Sequence, residues 1–237
     1  RHMILNSIRM YNKKYRDQYG QMVICADGMN TWRKDYFPLY KAHRRKNREE
    51  SDQDWNEIFR ILHLVRDEIK ENLPYKVLHM DGVEADDIIA SLAMFTQEFG
   101  NDEPVMIVSS DKDFIQLQKF NNVKQYSPIQ KKMVSDDNPR IYAFNHVMRG
   151  DAGDGVPNVL SADDTFVTDK TQTPLRQAKI NEWLENSDNL KDIMDENTFR
   201  NYQRNKKLID LTEIPEEIQE SIINNYVEQP IAMRMKV

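Results

Sequence analysis

The sequence predicts an α/β fold in which parallel strands alternate with helices. Residues 22–26 and 105–108 are short apolar runs with the composition of strands inside a sheet that is buried on both faces. Each run leads directly into a carboxylate, Asp27 after the first and Asp111 after the second. Helical periodicity separates these runs, and this order favours parallel strands joined by right-handed crossovers.

The flanking helices follow from the spacing of apolar residues. Residues 2–19 have helical periodicity and are followed by Gly20, a common stop signal. Residues 54–73 predict a second helix, in which we expect His63 to pack in the core. Residues 76–80 then predict another strand.

The carboxylates that follow this strand gather at a predicted helix start. Apolar residues recur at helical spacing after Asp87, so Glu84, Asp86 and Asp87 are expected at or just inside a helix N-terminus. Asp111 and Asp113 are expected at the carboxyl end of a strand, where open α/β sheets bind their ligands. Carboxylates without interleaved Lys or Arg repel one another unless a cation neutralises them. An all-oxygen ligand set therefore indicates Mg²⁺ or Mn²⁺ rather than zinc.

The second half of the sequence is more polar. Residues 123–127 and 132–135 predict a β-hairpin, and residues 136–139 a loop. The Gly-rich turn 150–157 carries Asp151 and Asp154, so we expect it to contribute to the same site. The remaining predicted helices are residues 175–184, 190–194, 199–211 and 215–226.

Composition limits the class of protein. The 237 residues include 39 acidic and 33 basic side chains, for a formal charge of −6. Nucleic-acid binding would therefore need a local basic patch. Cys25 is the only cysteine, which excludes an internal disulfide and favours a reducing, cytoplasmic compartment. No apolar stretch is long enough to span a membrane, so a soluble protein is expected.

One segment has a charge opposite in sign to that of the whole chain. Between residues 33 and 48 basic side chains far outnumber acidic ones, and aromatic side chains are interleaved with them. Cations contact phosphates and aromatic rings stack on bases, so this mixture favours single-stranded or frayed nucleic acid over a membrane surface.

Taken together, these features resemble the 5′-nuclease family of flap endonucleases and 5′–3′ exonucleases, and most closely its phage ribonuclease H branch. The matching motifs are Val83-Glu84-Ala85-Asp86-Asp87, Ser109-Ser110-Asp111-Lys112-Asp113-Phe114, Val123-Lys124-Gln125-Tyr126-Ser127-Pro128 and Gly150-Asp151-Ala152-Gly153-Asp154. The run from Trp32 to Arg44 is similar to the family's helical arch. The likeness covers residues 2–156, and more weakly 208–223.

The resemblance implies a parallel-sheet 5′-nuclease (PIN-like) core with a helical arch and a C-terminal helical region. It implies two Mg²⁺ ions, for which Mn²⁺ can substitute. The expected ligands are Asp27, Glu84, Asp86 and Asp111 for the first ion and Asp113, Asp151 and Asp154 for the second, with Asp87 in support. Lys41 and Arg44 would stabilise the scissile phosphate, while Arg33, Lys34, Tyr40, Arg45 and Lys46 would bind substrate.

The same resemblance implies a substrate, partners and a domain arrangement. The expected substrates are 5′ ends of RNA in RNA–DNA hybrids, 5′ flaps and nicked duplex DNA during primer removal in replication. A replication clamp or a single-strand-binding protein is an expected partner, and the host cytoplasm the expected location of a phage enzyme. The expected domains are a catalytic core, residues 1–149 with the arch at about 32–50, and a helical region with a DNA-binding turn, residues 150–237.

Family members have an Asp-terminated strand before the first helix, and this chain has no residues in that place. We therefore expect that strand to be missing and the chain to cleave poorly. Two other functions stay open from the residues. Asp111-Lys112-Asp113 after a strand is also similar to haloacid-dehalogenase-type phosphatases, and the chain could be a catalytically impaired nucleic-acid-binding fragment.

Overall fold

The computed structural model describes residues 1–168 and 170–230, except for the side chains of Asn47 and Phe99. These residues form two compact units. Unit 1 contains Arg1–Thr31, Asp52–Ser135 and the chain from Pro215 onward. Unit 2 contains Trp32–Ser51 and Asp136–Ile214.

Unit 1 contains every strand of the described chain. The strands are β1 (Val23–Ala26), β2 (Lys76–His79), β3 (Val105–Val108), β4 (Val123–Ser127) and β5 (Lys132–Val134). β1 pairs with β2 in parallel, and β3 pairs with β4 in parallel. β4 also pairs with β5 in antiparallel register, so the predicted hairpin and the predicted parallel pairing are both confirmed.

Helices make up the rest of unit 1 and most of unit 2. In unit 1 they are α1 (His2–Tyr19), α4 (Trp55–Asn72), α5 (Ala85–Phe95) and α10 (Glu216–Glu228), with 3-10 helices at Glu98–Gly100 and Lys112–Lys119. In unit 2 they are α2 (Trp32–Tyr36), α3 (His43–Glu49), α6 (Pro139–Arg149), α7 (Gln177–Glu185), α8 (Leu190–Ile193) and α9 (Glu196–Ile209), with a 3-10 helix at Ser187–Asn189. No described helix has the length and apolar character that crossing a membrane requires.

Apolar packing positions the β1–β2 sheet in unit 1. One cluster joins Leu78 of β2 with Val83, Ile88 of α5 and Ile222 of α10. A second cluster joins Val77 with Val65 and Ile69 of α4. The two clusters cover neighbouring residues of β2, whose side chains point to opposite faces of the sheet. Both faces of the strand that leads toward Glu84 are therefore packed.

Unit 2 is built around α6 and α9. Val147 and Met148 on α6 belong to two adjoining clusters, which also contain Tyr40 and Trp183. Asn205 of α9 is fully buried and donates its Nδ2 to the carbonyl oxygens of Val147 and Pro157, both at 2.9 Å. The chain that enters and leaves the Gly-rich turn is thereby fixed to α9.

Two expectations need correction, and one helix was not predicted. His63 is exposed on α4 rather than packed in the core, because only Val65 and Ile69 of that helix are buried. The strands β1 and β3 are only partly buried, since each is an edge strand of its sheet. No residue of β1 is fully covered, and in β3 only Ile107 is. Helix α6 was not predicted from the sequence. It begins directly after the loop residue Asn138, whose side chain caps it by accepting from Ile141 N at 3.1 Å.

An ion pair between the buried Arg204 and the partly exposed Asp163 secures the segment after the Gly-rich turn. Arg204 on α9 is 5% exposed, and its guanidinium donates to Asp163, to Asn205 and to the carbonyl of Pro157. Arg200 donates two further hydrogen bonds to Asp163. Burial acts to raise the pKa of Asp163, but these arginines hold that pKa below its ordinary value.

We expect Asp163→Asn to lower the free energy of unfolding by about 2–3 kcal/mol, because it leaves the buried Arg204 charge without a carboxylate. Asp164→Asn is the matched control and should change stability by less than about 0.5 kcal/mol, since the Asp164–Lys170 pair is exposed. A carboxyl with a lowered pKa stabilises the fold above its unfolded pKa of about 3.9. The difference between Asp163→Asn and the parent should thus shrink as the pH falls below about 4 in urea titrations. Equal losses for both variants would contradict this account.

Candidate active site

The end of β1 lies against the start of α5. Asp27 follows β1 directly, and its Oδ1 accepts a hydrogen bond from Ala85 N at 2.8 Å. Gly28 N donates to the carbonyl oxygen of Val83 at 2.8 Å. A Cβ on Gly28 would lie 1.7 Å from the carbonyl oxygen of Met80, so only glycine permits this approach. The close contact brings Asp27 next to the residues that begin α5.

The first residues of α5 hold their carboxylates in fixed positions. Asp87 is fully buried, and its Oδ2 accepts from Glu84 N at 3.0 Å. Glu84 is 7% exposed, and its Oε2 accepts from Thr31 Oγ1 at 3.1 Å. A helix N-terminus stabilises negative charge, which offsets part of the repulsion in this group. Hydrogen bonds thus join Asp27 and Asp87 to the residues that begin α5, and Asp86 follows Ala85 in the same turn. Their role as metal ligands stays a prediction.

The pKa of the Cys25 thiol responds to the charge at this junction. Burial and, to a smaller extent, the nearby charge of Asp86 together raise the pKa of the thiol to about 12. The thiol is therefore protonated at neutral pH, and no thiolate is available there as a soft metal ligand.

Asp111 and Asp113 follow β3 as predicted. Asp111 Oδ1 accepts from Asp113 N at 3.0 Å and so caps the 3-10 helix Lys112–Lys119. Gln125 of β4 is fully buried, and its Nε2 donates to the carbonyl oxygens of Ser109 and Asp111. Gln125 was missed as a positioning residue, because an amide in a predicted strand carries no sequence signal for that role.

In unit 2 the Gly-rich turn joins the two other predicted carboxylates. Asp154 N donates to Asp151 Oδ1 at 3.1 Å. His146 Nε2 on α6 lies 3.6 Å from Asp151 Oδ2. Burial acts to raise the pKa of Asp151, but the hydrogen bond and charge of His146, with backbone N–H groups of the turn, bring that pKa below its ordinary value. His146 was also missed. Its position four residues before Gly150, on the last turn of a helix, is the signal that could have found it.

The basic segment divides into two groups. Arg33 is 3% exposed, and its Nε donates to the carbonyl of Leu208 at 2.9 Å. Tyr40 is also buried, but its hydroxyl donates to Asp154 Oδ2 at 2.6 Å. The side chains of Lys34, Arg45 and Lys46 are exposed, as a role in contacting substrate requires.

Lys41 and Arg44 both reach the Gly-rich turn. Lys41 Nζ lies 3.5 Å from Asp154 Oδ2, and Arg44 Nη2 lies 2.5 Å from Asp154 Oδ1. Arg44 Nε also donates to the carbonyl of Gly153 at 2.9 Å. The two cations predicted to act on phosphate are thus held side by side.

Carboxylates at the end of a parallel strand and at a helix start, as unit 1 has them, are typical of metal-dependent nucleases. Two family profiles match the chain. One, described as the 5'-3' exonuclease, N-terminal resolvase-like domain, matches residues 2–145, and the other, described as T4 RNase H, C terminal, matches residues 137–237.

Individual relatives agree with the profiles. The chain is 37% identical to Ribonuclease H of Enterobacteria phage T4 over 245 residues, which cover 100% of this chain and 80% of that protein. It is 30% identical to a 5'-3' exonuclease of Buchnera aphidicola subsp. Schizaphis graminum, over 62% of this chain and 50% of that protein.

Solved structures show the same fold. A phage T5 protein co-crystallised with metal ions matches with a TM-score of 0.66 and 17% identity, over 94% of this chain and 90% of that one. A phage T5 flap endonuclease in a pseudo-enzyme-product complex with DNA and metal ions also matches with a TM-score of 0.66 and 17% identity, over 94% of this chain and 88% of that one.

The protein is therefore a nuclease of the hydrolase class. More narrowly, it belongs to the 5′–3′ exonuclease family and is a homologue of phage T4 Ribonuclease H. This membership overturns the haloacid-dehalogenase alternative.

We expect Gly28→Ala to disrupt the junction of β1 and α5, because the new methyl group would overlap the backbone of Met80. The free energy of unfolding should fall by about 3 kcal/mol. Gly20→Ala is the control, since a Cβ at Gly20 meets no atom within 4 Å and only the positive φ of 74° causes strain. That strain should cost about 1 kcal/mol. Denaturant unfolding measures both values, and equal losses would show that the close approach at Gly28 is unimportant.

Proposed function

We propose that this nuclease hydrolyses phosphodiester bonds at 5′ ends, in RNA–DNA hybrids, 5′ flaps and nicked duplex DNA. The observation that carries the proposal is the junction between β1 and α5. There Ala85 N donates a hydrogen bond to Asp27, and Glu84 and Asp86 lie on either side of Ala85 in the sequence. The names of the relatives, ribonuclease H and 5'-3' exonuclease, support the substrate classes. Removal of RNA primers in replication is the role that requires this combination of substrates.

The donor atoms at the junction are of the kind that a divalent metal ion prefers. Their donor atoms are carboxylate oxygens, and the one thiol nearby is protonated, a set that suits Mg²⁺ or Mn²⁺ rather than zinc. Asp27, Glu84, Asp86 and Asp111 would hold the first ion, and Asp87 would fix the backbone of Glu84. Bound ions of this kind activate water and neutralise the leaving oxygen of a phosphodiester. The assignment of Asp113 and Asp151 to a second ion stays a prediction.

Lys41 and Arg44 would supply positive charge to the scissile phosphate. A phosphodiester gains negative charge on its oxygens in the transition state, and a fixed cation stabilises that charge more than it stabilises the ground state. Lys34, Arg45 and Lys46 are exposed and would bind the backbone of the strand. Tyr40 would contribute through its contact with Asp154.

Cleavage of a labelled 5′ flap and of an RNA–DNA hybrid should require Mg²⁺ or Mn²⁺ and should stop in EDTA. Asp86→Asn and Asp111→Asn should each lower the rate by at least about 100-fold, because each removes a charged ligand of the same ion. Asp188→Asn, an exposed site outside the junction, is the control and should cleave like the parent. Full activity in EDTA would refute the proposal. Cleavage of a small phosphomonoester but of neither nucleic acid would refute it as well.

Lys41→Ala should reduce the single-turnover rate on a 5′ flap by about 100-fold or more, and should change substrate affinity far less. Arg45→Ala is its counterpart: a cation that only contacts backbone phosphate should alter affinity and the slope of affinity against salt. Rapid-quench kinetics and binding titrations in Ca²⁺ separate the two effects. A Lys41→Ala enzyme with the parent's single-turnover rate would remove Lys41 from the chemistry.

A further inference from the structure

Asp154 makes contacts that differ from those of the other carboxylates. Its side chain accepts from the hydroxyl of Tyr40 at 2.6 Å and lies 2.5 Å from Arg44 Nη2 and 3.5 Å from Lys41 Nζ. All of these groups belong to unit 2. We propose that Asp154 is a positioning residue, which sets the place of the two phosphate-binding cations, and not a ligand of a second metal ion. The proposal rests on the nuclease function proposed above.

The main chain reinforces the side-chain contacts. Lys41 N donates to the carbonyl oxygen of Asp154 at 2.8 Å, and Arg44 Nε donates to the carbonyl of Gly153 at 2.9 Å. Lys41 has a φ of 58°, a conformation that non-glycine residues seldom adopt. Such a conformation persists only where surrounding contacts impose it, and these bonds to the turn are contacts of that kind. The turn therefore fixes both the backbone and the charge of Lys41.

Tight packing supports this arrangement. Tyr40 is 3% exposed and lies in the apolar cluster that contains Phe37 and Val156. A Cβ at Gly155, whose φ is 72°, would come within 2.8 Å of His43 Nδ1. The segment of residues 40–44 thus packs on the turn without room for an added methyl group, so a change at Asp154 would be felt at Lys41.

The surroundings of Asp154 do not suit a metal ligand. A carboxylate offers about four lone-pair positions, and here both oxygens already face a donor. A divalent ion on the same group would lie close to Arg44 and Lys41, and like charges at such distances repel strongly. Burial also raises the pKa of Asp154 above its ordinary value, although Lys41, Tyr40 and Arg44 act to lower it. Asp151 differs in two of these respects: a histidine rather than an Arg or Lys lies beside it, and its pKa is lowered.

The first experiment measures metal binding without cleavage. Mn²⁺ is titrated into the full chain by calorimetry for the parent, Asp154→Asn and Asp164→Asn. Asp164→Asn is the matched control, because it makes the same change in the exposed Asp164–Lys170 pair of the same unit. We expect Asp154→Asn to keep the parent's number of bound ions and its affinity within about threefold. Loss of an ion in Asp154→Asn, with the control unchanged, would overturn the proposal.

The second experiment tests whether Asp154 acts through Lys41. Single-turnover cleavage of a 5′ flap is measured for Asp154→Asn, Lys41→Ala and the double variant. Asp154→Asn alone should lower the single-turnover rate by about 100-fold, because misplacing a catalytic group reduces the rate by that much. Substrate affinity should stay nearly unchanged. In the Lys41→Ala background, adding Asp154→Asn should lower the rate by less than about threefold. Losses that multiply fully in the double variant would show that Asp154 acts independently of Lys41 and would overturn the proposal.

Failure of the nuclease function itself would look different. A parent that binds a 5′ flap and Mn²⁺ but cleaves nothing would defeat the proposed function and leave the kinetic test without a signal. Hydrogen exchange of the peptide that contains residues 40–44 then still decides the role of Asp154. Exchange should be faster in Asp154→Asn than in the parent and in Asp164→Asn. Unchanged exchange together with unchanged rates would reject Asp154 as a positioning residue.

Discussion

The approach of Gly28 to the backbone of Met80 and Val83 is the constraint on which the carboxylate junction depends. A Cβ at this position would lie 1.7 Å from the carbonyl oxygen of Met80, so only glycine fits there. The approach lets Asp27 accept a hydrogen bond from the first residue of α5. Repulsion between carboxylates is then reduced in two ways, by the N–H groups at a helix N-terminus and by a metal ion when one is bound.

In unit 2 the side chains that are held in place are cations rather than carboxylates. Arg33 and Arg204 are both buried and donate to backbone carbonyl groups, so they hold elements together. Lys41 and Arg44 are only partly buried and share one carboxylate, Asp154. A lysine side chain loses much rotational freedom when it is fixed. When contacts fix the lysine before substrate binds, this entropy is lost during folding and not during the reaction. That is the general advantage of a preorganised site.

Much of the fold could be predicted from the sequence. The spacing of apolar residues indicated α1, α4 and α5, and the apolar runs indicated β1 and β3, because these patterns depend only on neighbours along the chain. His63 shows the limit of this reasoning. A histidine inside an apolar helical pattern looks buried, but which stripe of α4 is covered depends on elements that are distant in sequence. Helix α6 was missed for a related reason, since its stability comes from packing against α9 rather than from a clear apolar period.

The sequence by itself determined which residue types carry the candidate chemistry: the carboxylates that follow β1 and β3, those that begin α5, and the cations of one basic segment. It did so because charge and spacing near strand ends are local properties. Only the tertiary structure decided the partners. It buried Arg33 against a backbone carbonyl, placed His146 beside Asp151, and brought Asp154 to Lys41 across more than a hundred residues of chain. Such pairings depend on how distant segments pack, and no local pattern of residues encodes them.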